Sequence, residues 1–403
     1  METDGTMIEA LRQGRWATRD RLVPAGVMAL AGYLVVLGYL YLYPGILTAP
    51  GGTAVVNDFL SFWVAAREAV GGAPATPYRT EDFAALQAVY IGAGHYFAFF
   101  YPPTFLLMLL PLGLLGGVAA YWVFQITAAL AAGWACSRIM RHWHGVLLAA
   151  ALPTSFNTYF YGQNSLLAAA FLGAGLVMLA EKRQILAGVF IGLMTFKPQL
   201  GVLIPFALVA GGYWRSFVSA AITTVLLAAF SWFIFGTGTW EAFYAQTGFA
   251  QKTLNLGLVD LHKMISVYAA ARQIGASIEL AYGLQGLTAF AALVSVWLSW
   301  RSRAPFAAKA IILVAAGLLA TPFALSYDLA LLAVALAFLL RHGQSASLPS
   351  WNATLALVVV LMAAGTRFAG EVGFPFLGPI LLMITIWIGW RCAEGATEKT
   401  ATV

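Results

Sequence analysis

FAFFYPPTFLLMLLPLGLL, residues 97–115, is apolar enough to cross a bilayer but is interrupted by Pro102, Pro103 and Pro111. Proline removes a backbone donor and clashes with the preceding turn, so a helix entering this stretch is broken. Whether the stretch crosses sets the side of everything after it. Lysine and arginine choose between the readings, because cytoplasmic loops carry an excess of both. If residues 97–115 lie in, or re-enter from, the outer leaflet, 15 Lys and Arg fall inside and seven outside; if they cross, nine fall inside and thirteen outside. The non-crossing reading is adopted.

Working outward, 61% of the 403 residues are hydrophobic, 9% are charged and the mean hydropathy is +0.82. No water-soluble core absorbs that much apolar surface. Apolar runs of about 20 residues, the length of a helix crossing a bilayer, recur along the chain, and they are continuous rather than alternating, which excludes a β-barrel. The expected spans are 22–42, 118–137, 145–160, 165–180, 185–197, 198–213, 216–235, 278–300, 308–323, 327–340, 351–369 and 374–390. The fold class is therefore an all-α polytopic membrane protein, one domain over residues 1–403 with about twelve spans. The first run reads as an uncleaved anchor rather than a signal peptide.

The net charge of +6 is distributed between apolar runs, marking topology rather than a nucleic-acid surface. Cys136 and Cys392 are far apart in sequence and read as structural. Both termini are expected inside, with residues 391–403 a disordered cytoplasmic tail. The first outer loop, 43–117, and a second, 236–277, face the other side. Within the first loop, Asn57–Val70 and Thr80–Ile91 carry apolar residues at helical spacing and are expected as juxtamembrane helices, joined by Gly71-Gly72-Ala73-Pro74.

Ionisable groups at membrane depth are costly, so each invites a functional reading. Asp58, at a helix start, reads either as an N-cap together with Asn57 or as a general base, and one residue can do both. Lys197 lies in a long apolar stretch beside Pro198 and Gln199. It is either a partner for a phosphate or a lysine snorkelling to the headgroups. Gln163, Asn164 and Ser165, in FYGQNS (160–165), offer amides and a hydroxyl to a polyol, but Gly, Gln and Asn also suit an ordinary turn. His262 and Lys263 offer positive charge to an anionic ligand or form a solvated loop pair. Tyr327 and Asp328 follow Ser326 at another outer helix start, where N-capping by Ser326 competes with a binding role. A phosphate-binding GxxxxGK[ST] loop, a zinc-binding HExxH helix, a GxSxG elbow and a metal-holding Asp-x-Asp pair are all missing from the sequence. No metal or other cofactor is expected, and no nucleic-acid partner.

The ordered segments NDFLSFWVAAR (57–67), FFYPPTFLLMLLPL (99–112), GQNSLL (162–167), AGVFIGLMTFKPQLGVLIP (187–205) and ALSYDL (324–329) resemble glycosyltransferase family 87, of the GT-C superfamily. The resemblance implies a GT-C-type bundle and a transferase moving a hexose, with mannose foremost, from a polyprenyl-phosphate donor to a hydroxyl of a lipid or glycan acceptor, with inversion. It implies a bacterial inner-membrane enzyme whose site faces the periplasm or cell exterior. Asp58 takes the position of the family's catalytic carboxylate, and Lys197 matches its Lys-Pro pattern, where it would neutralise the donor phosphate with His262 and Lys263. Asn57, Tyr101, Gln163, Asn164, Gln199, Tyr327 and Asp328 are the expected substrate contacts. In one respect the chain departs from mycobacterial members acting on phosphatidylinositol mannosides. It has Ser326-Tyr327-Asp328 where they carry a histidine. The competing class is a secondary transporter or flippase of a lipid-linked sugar, which also places charges and broken helices in a bundle. A further class, an inert membrane scaffold, leaves Asp58 and Lys197 without a purpose.

Overall fold

A computed structural model describes residues 2–43, 46–49, 52–92, 94–255 and 260–401. Residues 44, 45, 50, 51 and 93 of the first loop, 256–259 of the second, and 402–403 of the tail lie outside it. All named elements among the described residues are helical. Among the described residues extended pairing is limited to two isolated bridges, Thr48 with Val55 and Met264 with Leu325.

In chain order the helices are α1 (Glu2–Gln13), α2 (Arg19–Leu42), α3 (Phe59–Val70), α4 (Thr80–Ile91), α5 (Pro103–Leu109), α6 (Gly117–Met140), α7 (Gly145–Ala151), α8 (Pro153–Tyr161), α9 (Ser165–Ala180) and α10 (Gln184–Leu193). The second half contributes α11 (Ile204–Ala210), α12 (Trp214–Phe235), α13 (Thr237–Asn255), α14 (Val267–Gln273), α15 (Ile278–Arg301), α16 (Phe306–Ala320), α17 (Leu332–Ser345), α18 (Asn352–Ala363), α19 (Thr366–Glu371) and α20 (Leu377–Ala401). α3 and α4 are the two helices expected in the first loop. α20 runs through the stretch after Arg391 that the sequence reading left disordered.

Among the described residues six helices are long and apolar enough to cross a membrane: α2, α6, α12, α15, Ser326–Ser345 and Leu377–Glu394. The other expected spans are shorter helices. Pro153 splits 145–160 into α7 and α8, sitting at the first position of α8 where its missing N–H is harmless. Lys197-Pro198 separates α10 from α11 through two 3₁₀ turns, Met194–Phe196 and Pro198–Leu200. Residues 351–369 form α18 and then, after Gly365, the separate α19. α2 and α12 bury only 6% of their apolar windows and form the periphery, whereas Ser326–Ser345 buries 78% and is central.

Residues 97–115 do not traverse the bundle. The chain leaves α2 and enters α6 at the same end, where the Tyr41 and Tyr121 rings lie 4.5 Å apart and Trp63 Nε1 donates to the Leu115 carbonyl at 2.9 Å. Between these points α5 has seven residues, a rise of about 10 Å against a hydrocarbon core of about 30 Å. It dips inward until Phe105 stacks on Phe196 at 5.0 Å, then returns through the 3₁₀ turn Leu110–Leu114. Gly113 permits that return, since a Cβ there would come within 2.7 Å of the Ala66 carbonyl carbon.

Candidate active site

The site forms where α2, α3, α8 and α9 meet. Asn57, nearly buried, fastens three of them: its Oδ1 accepts the Phe59 N–H at 3.0 Å, and its Nδ2 donates to the Tyr41 hydroxyl at 2.7 Å and the Phe160 carbonyl at 3.1 Å. The Tyr41 hydroxyl donates onward to Phe160 O at 2.6 Å. Gly162 makes this junction possible, with φ of +67° and no side chain to strike the Asn57 amide and Phe59.

Asn57 thus supplies the hydrogen bond at the start of α3, and the neighbouring Asp58 makes no side-chain capping bond. Of the two residues offered as the cap, Asn57 supplies it. The Asp58 carboxylate is half-buried and accepts one hydrogen bond, from Gln163 Nε2 to Oδ2 at 2.6 Å. Gln163 is oriented in turn by Tyr101, whose hydroxyl donates to Oε1 at 3.4 Å, and by Gln125, whose Nε2 donates to the Gln163 carbonyl at 3.2 Å. Burial raises the Asp58 pKa, opposed by the Gln163 hydrogen bond and by the charges of Lys263, Arg367 and Lys197. A carboxylate raised by desolvation yet faced by cations is a stronger base than a solvated one and remains able to ionise.

Lys197 lies deeper. Its Nζ donates to Asp328 Oδ1 at 2.6 Å and to Ser165 Oγ at 3.4 Å, with only 2% and 1% of the Lys197 and Asp328 side chains exposed. Ser165 donates to the same Asp328 oxygen at 2.7 Å, and Asp328 Oδ2 accepts the Leu325 N–H at 3.1 Å. The cap position of the Ser326–Leu331 turn is therefore Leu325, whose N–H Asp328 accepts, and Ser326 lies inside the turn rather than capping it. The Tyr327 ring lies 5.3 Å from Lys197 Nζ, a cation–π contact that faces the lysine from the site side. This geometry departs from a lysine open to a phosphate, because its donors are held by an internal carboxylate and a hydroxyl.

The other expected residues divide. Asn164 is fully buried beside Gln163, with neither amide atom hydrogen-bonded among the described residues. Gln199 is half-buried on the Pro198–Leu200 turn, and among the described residues no hydrogen bond joins it to Asp58. His262 and Lys263 lie on the 3₁₀ turn Leu261–Lys263, which packs on α19. There Lys263 pairs with Asp260 at 2.5 Å, lowering the Asp260 pKa chiefly through that hydrogen bond, and His262 Nε2 lies 3.3 Å from Glu371 Oε1. Two further residues contribute, of which Arg367 was missed in the sequence and Ser165 was read there only as a hydroxyl for a polyol. Ser165 completes the Lys197–Asp328 cluster. Arg367 of α19 donates from Nε to Glu371 at 3.4 Å and stacks its guanidinium 4.8 Å from the centre of the Tyr161 ring. The Arg-x-x-x-Glu spacing of Arg367 and Glu371 was the available signal, hidden by reading 351–369 as one span.

Two grooves border this region without including Asp58. One, of about 610 Å³, is lined by Ala69, Val70, Leu110, Pro111, Leu114 and Phe235, between the re-entrant segment and peripheral α12. The other, of about 670 Å³, is lined in part by Trp63, Arg67, Tyr90 and Gly117. Among the described residues no group of three or more His, Cys, Asp or Glu is placed to hold a metal ion.

The family model of glycosyltransferase family 87 matches residues 99–322, more than half of the chain, and the chain belongs to that family. No curated protein and no solved structure matches.

Proposed function

We propose that this membrane glycosyltransferase of family 87 transfers a hexose, with mannose foremost, from a polyprenyl-phosphate donor to a hydroxyl of a lipid or glycan acceptor, inverting the anomeric centre. Asp58 is the general base. The observation that carries this reading is a carboxylate released from helix capping by Asn57, held by Gln163 at 2.6 Å and faced by cations. Asp58 takes the acceptor hydroxyl's proton as that oxygen forms its bond to the anomeric carbon and the bond from that carbon to the donor's phosphate oxygen breaks. A phosphate departs as a stable anion, so a single carboxylate suffices where a glycosidase uses two.

The arrangement of charge supports a site away from the cytoplasm. Helix ends that the lysine and arginine count assigns to the outer side, at Leu42, Gly117, Tyr161, Ser165 and Ser326, gather around Asp58. Arg138 and Glu181, paired at 2.8 Å, join α6 to the end of α9 at the opposite face. The positive-inside tendency supports a catalytic end on the periplasmic or exterior side of a bacterial inner membrane. The apolar groove between Pro111 and Phe235 starts about 17 Å along α3 from Asp58 and provides a wall for a prenyl chain.

The test is transfer of radiolabel from polyprenyl-phosphate hexose in membranes containing the protein. The expected result is a new glycoside. Translocation of the intact lipid without a glycoside would instead identify a flippase.

A further inference from the structure

The cations near Asp58 differ in how many donors they have left. Lys197 has its ammonium on Asp328 and Ser165 in a space 2% exposed, leaving no entry for a ligand. Lys263 gives one of its three donors to Asp260 at 2.5 Å, and what it has left is a point charge without a planar fork. Arg367 has five N–H groups, and among the described residues one of them, on Nε, makes its hydrogen bond to Glu371. Both terminal amino groups are unengaged there, and the side chain is 28% exposed. Its plane is fixed by Tyr161, which immediately precedes Gly162 and Gln163, the residue bonded to Asp58. Glu371 is held from the other side by His262 at 3.3 Å, so α19 and the 261–263 turn brace one another. Arg367 also lies beyond the residues matched by the family model.

We infer that Arg367 holds the phosphate of the donor, its two terminal amino groups bridging two phosphate oxygens beside Asp58, with Glu371 and Tyr161 acting as positioning residues. A guanidinium fork matches phosphate geometry in a way a lysine ammonium does not. The shared chemistry is a phosphate monoester or inorganic phosphate. The inference rests on the lipid-phosphate donor of the proposed function.

The experiment is calorimetric titration of the full-length protein in nanodiscs with farnesyl phosphate, inorganic phosphate and farnesol, for wild type, R367Q and R367K. Wild type is expected to bind farnesyl phosphate more tightly than inorganic phosphate, and to bind both more tightly than R367Q does. R367Q is expected to weaken farnesyl phosphate about tenfold to a hundredfold, the scale of hydrogen bonds to a charged group. R367K keeps the charge but loses the fork, and is expected near tenfold. Farnesol binding and the melting temperature stay at wild-type values, which a merely structural role would not allow. Wild-type affinity for farnesyl phosphate in both variants overturns the inference while leaving the proposed function intact. No binding by the wild type overturns both, and equal affinity for inorganic phosphate overturns the lipid source.

Discussion

Lys197 and Asp328, 131 residues apart in sequence, form an ion pair of 2.6 Å inside the helical bundle, sealed by Ser165 and by the Leu325 N–H. A buried charge is tolerated only when it is paired, and removing one partner leaves the other uncompensated at a cost of about 3–5 kcal/mol. The pair joins the α10–α11 break to the turn before α17, and Ser165 extends it to the start of α9 two residues from Gln163. Its immediate role is to fix the floor of the site.

Replacing one member is therefore expected to destabilise the protein more than replacing both. K197M and D328N alone should each lower the melting temperature of the detergent-solubilised protein. The double variant K197M/D328N should recover much of the loss, because no uncompensated charge remains. Thermal unfolding followed by intrinsic tryptophan fluorescence measures this, and a K197M variant melting with the wild type would contradict the structural assignment.

Asn57 makes a different kind of contribution, as a hub of neutral hydrogen bonds. N57A loses the Phe59 cap and the links to Tyr41 and Phe160, with an expected cost of about 1–3 kcal/mol. G162A forces a side chain into the same junction at φ of +67° and is expected to be at least as damaging. Both effects are read as shifts in the denaturation midpoint, with N57A/G162A no worse than the sum if the junction is a single unit.

Burial raises the proton affinity of Asp58, and Gln163 tempers it. The Gln163 N–H stabilises the charged carboxylate and so opposes the upward shift caused by burial. Removing that donor in Q163L raises the Asp58 pKa further. A general base works only when ionised, so activity is lost as pH falls through its pKa. The acid limb of the pH profile of kcat/KM is expected to move to higher pH. An acid limb that stays in place in Q163L would show that another group sets it.

These features differ in how far sequence reveals them, for physical reasons. α3 and α4 are legible because helical periodicity is local, and the turn-back of residues 97–115 is legible because three prolines and a charge count bear on it. Asp58 and Gln163 stand out as polar residues in apolar surroundings, but their contact spans 105 residues and depends on how α3 meets α9. The same holds for Lys197, whose partner is fixed only by tertiary packing. Arg367 was obscured by a misplaced boundary: the apolar run 351–369 conceals the break at Gly365, and the arginine becomes a site residue only once α19 is separated from α18. Pro153 announced the division of α7 from α8, yet apolar length alone favoured one span.

The central claim is that the Asp58 carboxylate accepts the proton of the attacking hydroxyl. Asp58→Asn preserves size and retains an acceptor for Gln163 while removing the base, so the protein should express and melt as wild type. The decisive measurement is radiolabelled hexose transfer from polyprenyl-phosphate hexose in membranes carrying D58N beside wild type. The account predicts loss of product by about a hundredfold or more, the lower range of general-base contributions. Transfer at the wild-type rate in D58N would contradict it.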